Sequence, residues 1–399
     1  MHKALLAVAL LLTPVSPGCG KSTGGLSVNG AGASLPYPLY LRWMAEYAKL
    51  RPELRLNYQS IGSGGGLKQI TERTVDFGAS DTPMSDELLA RAPGRLVHIP
   101  TTIGAVALTY NLPGVAALRL SPERVAGVFL GEIRRWSDER LKADNPGVSL
   151  PDEPISVVHR SDGSGTTAIF TEYLSGASPV WRERVGTGTS VNWPVGPGGK
   201  GNEAVTSHVK NTPGALGYLE LAYAVQSQLP AASLKNREGA FVAPTLESMA
   251  AAASGAAMPP DLRVSIVDAP GAASYPLSAF SYVLVYEDAA DTAKGEAIAK
   301  FLWWATHEGQ AFAAPLSYAP LPAPVVARVE GKLRELKGGG KPLLAGRLAS
   351  PWPRRSTRGS TATAPAGCCG WGARSTRAIW CSARPRRSRR SARWRRSAR

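Results

Sequence analysis

The sequence predicts an α/β protein of two lobes with a ligand cleft between them, and three observations carry that prediction. Strand-like and helix-like segments alternate through the body, which argues for helices layered on sheets. Two long, mostly apolar, extended runs, 97–110 and 274–286, lie far apart in the chain, and each can cross from one lobe to the other. Three turns of small residues sit just ahead of helix-like stretches, where free backbone N–H groups converge. Two crossings put both chain ends in the first lobe and the middle in the second, and a cleft between lobes is a common seat for a small ligand.

In chain order, the first turn, Gly30-Ala31-Gly32-Ala33-Ser34-Leu35-Pro36, leads into a helix over 39–50 with Pro38 in its first turn. A strand over 54–58 follows, then the second turn, Tyr58-Gln59-Ser60-Ile61-Gly62-Ser63-Gly64-Gly65-Gly66, and a helix over 66–75. The short apolar strand over 76–79 runs on to the carboxylate of Asp81. The first crossing run contains a strand over 105–110, and after it come a helix over 121–130 and a strand over 155–158. Then follow the third turn, helices over 167–174 and 202–210, a strand over 217–219 and a helix over 245–253. A strand over 280–286 in the second crossing run and a helix over 294–306 complete the pattern, with proline and glycine in the gaps. There is no internal repeat. Trp193 and Pro194 fall in a glycine-rich segment placed near the cleft or hinge.

The third turn, Arg160-Ser161-Asp162-Gly163-Ser164-Gly165-Thr166, is the most informative. It joins a strand to a helix, so amides and hydroxyls point at one spot where the helix N-terminus adds partial positive charge. Arg160 adds a fixed charge and a planar fork of donors suited to oxyanion oxygens. The turn points to a bound anion.

The formal charge of +16 belongs to the C-terminal tail. From Ala345 onward there is no Asp, Glu or Lys, and there are fifteen arginines; removing these from the 46 basic residues leaves 31 against 30 acidic. The near-neutral body argues against nucleic-acid binding. The tail, taken as 344–399, holds Cys368, Cys369 and Cys381 and repeats Arg-Ser-Ala-Arg without helical or strand periodicity. It reads either as a disordered basic arm or as the translated out-of-frame end of a GC-rich gene, and the second reading is favoured. At the other end, a basic start, the nine-residue apolar run from Ala4 to Leu12 and small residues up to Cys19 make a secretory leader over 1–19. Gly18-Cys19 is similar to a lipoprotein cleavage box, with Ser16 where leucine is usual, and this favours lipidation at Cys19. Gly20-Lys21-Ser22-Thr23 has the ending of a phosphate-binding loop. The motif's first glycine would fall on Val15, with no strand before it, which rejects a nucleotide site. The body between leader and tail has no cysteine after Cys19, so neither a disulfide nor a cysteine metal site is available to it.

The body resembles the periplasmic phosphate-binding proteins that feed ABC-type phosphate importers. The three turns carry the resemblance, together with Val75-Asp-Phe-Gly-Ala-Ser-Asp81, Val185-Gly-Thr-Gly, Trp193-Pro-Val-Gly-Pro-Gly-Gly-Lys-Gly-Asn202 and Pro213-Gly-Ala-Leu-Gly-Tyr218. These motifs occur in order from about 26 to 343, and the resemblance ends near Gly340-Lys-Pro-Leu343, where the family's chains end. It implies the two-lobed type II periplasmic-binding-protein fold: mixed sheets flanked by helices, a cleft between lobes and a hinge of two crossing strands. The implied lobes are 24–104 plus 276–343, and 105–275. Also implied are phosphate ligands at Ser34, Leu35, Ser63, Asp81, Arg160, Ser164, Gly165 and Thr166, with Leu35 and Gly165 acting through backbone N–H. Ser34 stands where the family often has threonine, and Leu35 where it often has phenylalanine. The implied protein is a monomer without cofactor, periplasmic or on the outer face of a membrane, which hands inorganic phosphate to a permease of two membrane subunits and an ATPase.

Chemistry supports such a site independently. Phosphate near neutral pH carries a proton and sulfate carries none, and an ionised Asp81 only accepts hydrogen bonds. It would therefore take a bond from phosphate and oppose sulfate with lone pairs, a penalty of several kcal/mol, or discrimination of roughly 10⁴-fold. Lobe closure would complete the shell of bonds.

Other readings of these residues stand beside this one. Asp81 can cap the next helix, Arg160 can pair with Asp162 on the surface, and Ser34, Ser63, Ser164 and Thr166 can be ordinary helix caps. An enzyme would need more than is visible. The histidines at 2, 98, 159, 208 and 307 have no metal-ligand spacing, His159 is expected to point outward from its strand, and a nucleophilic Ser63 or Ser164 lacks an evident base. A binder of sulfate or molybdate, a phosphatase, and a nucleic-acid protein acting through the tail are the alternatives.

Overall fold

The chain's first strand is one the sequence reading did not place. β1 (Leu26–Gly32) is short of the alternation that marks a strand because its second half doubles as a glycine turn. Those glycines answer to crowding: Gly32 has φ +144°, and a Cβ there would collide with the carbonyl of Ala79. The computed structural model describes residues 25–345; the leader, Cys19, the segment 20–23 and nearly all of the arginine tail lie outside the described residues.

From β1 the chain runs through α1 (Tyr37–Leu50), β2 (Leu54–Ser60), α2 (Ser63–Thr71), β3 (Phe77–Ser80), α3 (Asp86–Arg91) and β4 (Leu96–Tyr110). The middle holds β5 (Arg119–Leu120), α4 (Pro122–Phe129), α5 (Glu139–Asp144), β6 (Ser156–Arg160), α6 (Gly165–Ala177), α7 (Pro179–Arg184) and β7 (Gly198–Gly199). It continues through α8 (Gly201–Asn211), β8 (Ala215–Glu220), α9 (Leu221–Ser227), β9 (Ser233–Lys235), β10 (Phe241–Val242) and α10 (Leu246–Ser254). The chain returns through β11 (Ser278–Tyr286), β12 (Asp288–Ala289), α11 (Thr292–Ala305), α12 (Ala323–Glu335), β13 (Lys337–Gly338) and β14 (Lys341–Pro342). Where the reading began the second helix at 66, α2 begins at Ser63, because its glycines pack closely: a Cβ on Gly66 would meet Gly32 Cα at 2.5 Å.

The main sheet has the order β2-β1-β3-β11-β4-β8-β6-β7. β1 runs parallel to β2 and β3, and β8 parallel to β6, whereas β11 and β4 are antiparallel to their neighbours. β4 is the joint. Its residues 96–105 pair with β11, and 106–110 pair with β8, so one continuous strand belongs to both halves of the sheet. All fifteen of its residues are buried, as expected of a strand covered on both faces and read in sequence as an unbroken apolar run. The result is the predicted two-lobed α/β fold with mixed sheets.

Each half has its own aromatic core. Tyr47, Phe301 and Trp304 pack α1 against α11, with ring centroids 5.3 to 6.4 Å apart. In the other half, Phe129, Phe170, Trp181, Trp193 and Tyr218 form one cluster; Phe170 stacks on Tyr218 at 4.4 Å and meets Phe129 edge-on at 4.8 Å. Trp193 therefore belongs to this core rather than to the cleft or hinge. His159 is also turned inward: it stacks on Trp193 at 4.7 Å, and its ring nitrogens lie 2.9 Å from the carbonyls of Arg160 and Gly196. The outward orientation expected from strand alternation fails because the 191–197 segment, through Trp193 and the Gly196 carbonyl, covers that face of β6.

Phe170 is fully buried at the centre of the cluster. Phe170→Ala is expected to lower unfolding stability by about 3–5 kcal/mol, read from denaturant unfolding.

Candidate anion-binding site

The parallel strands bring the three turns to one place. β1, β2 and β3 run the same way, so the residues beyond their C-terminal ends share an edge: Ser34 after β1, Ser63 after β2 and Asp81 after β3. β6 ends in Arg160, and the turn beyond it delivers Ser164, Gly165 and Thr166 to the start of α6. Ligands in α/β sheets commonly sit beyond the carboxyl ends of strands.

Close approach between the two groups is direct. A Cβ on Gly165 would collide with Ser63 Oγ and the Asp81 side chain, and one on Gly62 would lie 2.5 Å from Asp162 Oδ2. Gly64 N–H donates to the Gly163 carbonyl at 2.9 Å. On the far side, Asn202 Nδ2 donates to Ser34 Oγ at 3.0 Å, and the Tyr223 hydroxyl to the Ser34 carbonyl at 3.0 Å. All eight candidate residues, with Leu35 beside Ser34, are buried, none exposed by more than 3% among those quantified. The cleft is closed.

The hydrogen bonds already made leave donors free. Ser34 Oγ accepts from Asn202, Ser164 Oγ accepts from Thr167 N at 3.1 Å, and Thr166 Oγ1 accepts from Arg160 Nη1 at 3.3 Å, so each hydroxyl proton remains available. Ser63 Oγ accepts from Asp81 N at 3.2 Å and makes only a long 3.3 Å bond to Asp81 Oδ2. Arg160 grips Asp162 through Nε at 2.8 Å and Nη2 at 2.6 Å, which leaves part of its five-proton fork unused. The amides of Gly165 and Thr166 lie in the first turn of α6, before intrahelical bonding begins. Against these donors Asp81 is the acceptor.

Asp81 is held from behind by a residue that sequence reasoning missed. Ser281 on β11 donates to Asp81 Oδ1 at 2.8 Å from 200 positions away. Burial pushes the Asp81 carboxyl up to about 7, against the opposing effects of the Ser281 bond, the Arg160 charge and the Ser63 bond. Burial also acts upward on Asp162, but the bonds and charge of Arg160 outweigh it and hold that carboxyl below its usual range.

Most of the local alternatives resolve. Asp81 caps no helix, since Ser85 caps α3 by accepting from Leu88 N. Arg160 does pair with Asp162, but at 1% and 12% side-chain exposure the pair lies inside the cleft and not on the surface. Ser164 is the N-cap of α6 as well as a candidate ligand, whereas Ser34, Ser63 and Thr166 are not caps. Among the described residues, no group of three or more His, Cys, Asp or Glu could hold a metal ion, and no helix is long and apolar enough to cross a membrane.

Comparison with known proteins agrees with this fold. The model of the PBP superfamily domain matches residues 18–308. Phosphate-binding protein PstS of Haemophilus influenzae is 46% identical over 318 residues, 78% of this chain and 94% of that protein. The PstS of Pasteurella multocida is 43% identical over 336 residues, 83% of this chain and 96% of that protein. Among solved structures, a high-affinity periplasmic phosphate-binding protein with bound phosphate is 22% identical, with TM-score 0.64 over 77% of this chain and 93% of that one. At that identity the likeness is one of fold.

The raised Asp81 carboxyl makes the ligand-free protein lose stability as pH rises from the unfolded value near 4 to the folded value near 7, where only the folded state still holds the proton. Asp81→Asn, which has no charge to bury, is therefore expected to be more stable than the parent at pH 8 by on the order of 1–3 kcal/mol. Thermal unfolding across the pH range should show this advantage shrinking as the pH falls toward about 4.

Proposed function

The chain belongs to the PBP superfamily, and from that premise we propose that its cleft captures inorganic phosphate. Delivery is to an ABC-type phosphate permease on the outer face of a cell membrane, with Cys19 as the lipid anchor. Phosphate is held by the hydroxyls of Ser34, Ser63, Ser164 and Thr166, the amides of Leu35, Gly165 and Thr166, and the guanidinium of Arg160, while Asp81 accepts the ligand's proton. The observation that carries this reading is the imbalance of the site: a buried set of free donors around Asp81, which only accepts when ionised, with the other carboxylate of the cleft, Asp162, already taken by Arg160. It is a binder and not an enzyme on this reading, in keeping with relatives of 43–46% identity that are phosphate-binding proteins. The lobes are 24–104 with 276–343, and 105–275; the change of partner along β4 between residues 105 and 106 supports that division.

Calorimetric titration of ligand-stripped protein with phosphate and with sulfate tests the proposal. One-to-one phosphate binding with silent sulfate at pH 8 is expected, and no phosphate heat from folded protein would overturn it. Arg160→Ala should weaken phosphate binding by about 30-fold or more, the cost of truncating one partner in a buried charged network. Asp81→Asn should lose on the order of 10²-fold of the phosphate preference, since an amide can donate to sulfate.

In the parent, sulfate binding should strengthen as the pH falls below about 7, where Asp81 takes up a proton it can donate. Removal of residues 345–399 should leave the phosphate titration unchanged and abolish any retention on DNA; lost phosphate binding would contradict the assignment of function to the body alone.

A further inference from the structure

Behind the Ser34 and Leu35 turn lies a second carboxyl that the binding chemistry does not use. Glu220 ends β8, pairs there with Val106 at the crossing point of β4, and opens α9 by accepting from Ala222 N–H at 2.7 Å. Its side chain is fully buried. We propose that Glu220 is a protonated positioning residue that holds the Ser34 and Leu35 turn in its donating orientation through Tyr318 on one side and Asn202 on the other. The proposal rests on that turn belonging to the phosphate site.

A count of donors points to the proton. The Tyr318 hydroxyl lies 2.7 Å from the Leu35 carbonyl and 3.3 Å from Glu220 Oε2. A phenol has one proton, and a carbonyl has none to give, so the short contact takes the Tyr318 proton. Glu220 Oε2 already accepts from Ala222 N–H, and across the 3.3 Å to Tyr318 it can have at most a share of the hydrogen committed to Leu35 unless Glu220 supplies its own. Its other oxygen, Oε1, is buried with no hydrogen-bond partner, a position far more costly for an ionised oxygen than for the carbonyl of a neutral acid.

The surroundings favour the same state. The titratable groups facing Glu220 are Tyr318, Tyr223 and Asp81, and none of them carries a positive charge; Tyr223 in turn reaches Glu203 Oε1 at 3.0 Å. Burial, with the Asp81 charge behind it, pushes the Glu220 carboxyl well above the usual range against the opposing hydrogen bonds from Ala222, Tyr318 and Tyr223.

Glu220 works in two directions from one corner. Its carboxyl orients Tyr318, which fixes the Leu35 carbonyl. Its backbone N–H donates to Asn202 Oδ1 at 3.1 Å, which turns the Asn202 amide so that Nδ2 donates to Ser34 Oγ and leaves the Ser34 proton free. Ionised Glu220 would draw the Tyr318 proton to itself, release the Leu35 carbonyl and place a negative charge behind an anion site. Because the protonated form is the working one, its contribution is present at low pH and is lost as pH rises through the Glu220 value.

The test uses the full chain, with inorganic phosphate as probe and a second readout that needs no ligand. Infrared difference spectra of ligand-free protein at pH 8, parent minus Glu220→Gln, should contain the C=O band of a protonated carboxylic acid; its absence overturns the proposal. For binding, Tyr318→Phe and Glu220→Ala should each weaken phosphate affinity about tenfold, the value of one buried hydrogen bond. Glu220→Gln, neutral and of the same shape, should recover most of the Glu220→Ala loss and flatten the decline of affinity at alkaline pH. Tighter binding by Glu220→Gln than by the parent at pH 7 would mean an ionised Glu220 and would overturn the proposal. If the acid band is present but neither the parent nor any variant binds phosphate, the positioning role fails together with the functional reading, while the proton itself stands.

Discussion

Asp81 and Arg160 are taken out of water into one cleft, and much of the local architecture follows from keeping these opposite charges from cancelling each other. A direct bidentate pair between them would be stable and useless, because it would consume the donors and the acceptor that a ligand needs. The chain avoids this by giving each a different partner. Arg160 is fixed by Asp162 two residues away, and Asp162 is itself steadied by the Gly201 amide at 3.0 Å. Asp81 is fixed by neutral hydroxyls, Ser281 behind it and Ser63 beside it. Neutral donors satisfy the oxygens without compensating the charge, and the carboxyl is left titrating near neutrality.

Such a pair can exist only where backbones approach closely, and this explains the glycines. Gly62 with φ +82° and Gly163 facing Gly64 let two loops touch main chain to main chain, and Gly165 leaves room for Ser63 and Asp81 where any side chain would collide. Glycine here serves contact across the cleft, not looseness of the loops. The joint that carries the two sides is β4 with β11, whose ladder slips at Ser281 and Tyr282. Ser281, the residue that fixes Asp81, therefore sits at the irregularity in the joint itself. The slip in the joint and the orientation of the acceptor share one residue.

How far the sequence could be read depends on how local each signal was. The turn 160–166 announces itself within seven residues, and the long crossing strand survives as an apolar run because both of its faces are covered. Ser34, Ser63 and Ser164 are legible because capping and anion binding ask for the same residue types at a helix start. Ser281 and Glu220 are not legible. A serine inside an apolar strand carries no local mark of a carboxylate 200 positions away, and Glu220 at a strand-to-helix corner reads as a helix cap, which it also is. His159 escapes for a related reason: alternation along β6 says which face it occupies, but not that the 191–197 segment closes over that face. β1 was missed because its glycine turn is part of the strand.

The position of the Asp81 proton also bears on how selectivity would survive changes of pH in the proposed complex. Phosphate exchanges a proton near neutrality, and so does the buried carboxyl, so neither group alone determines where the proton sits. What the site demands is that one proton lie between Asp81 and the anion. Phosphate can meet that demand with its own proton when Asp81 is ionised, or borrow the carboxyl's proton when it is not. Sulfate can only borrow. Discrimination then rests on the count of protons in a closed, dry contact and not on size, since the surrounding hydroxyls and amides donate equally to either tetrahedral anion. A cleft built this way keeps phosphate across neutrality and admits its rival only where solvent supplies the missing proton.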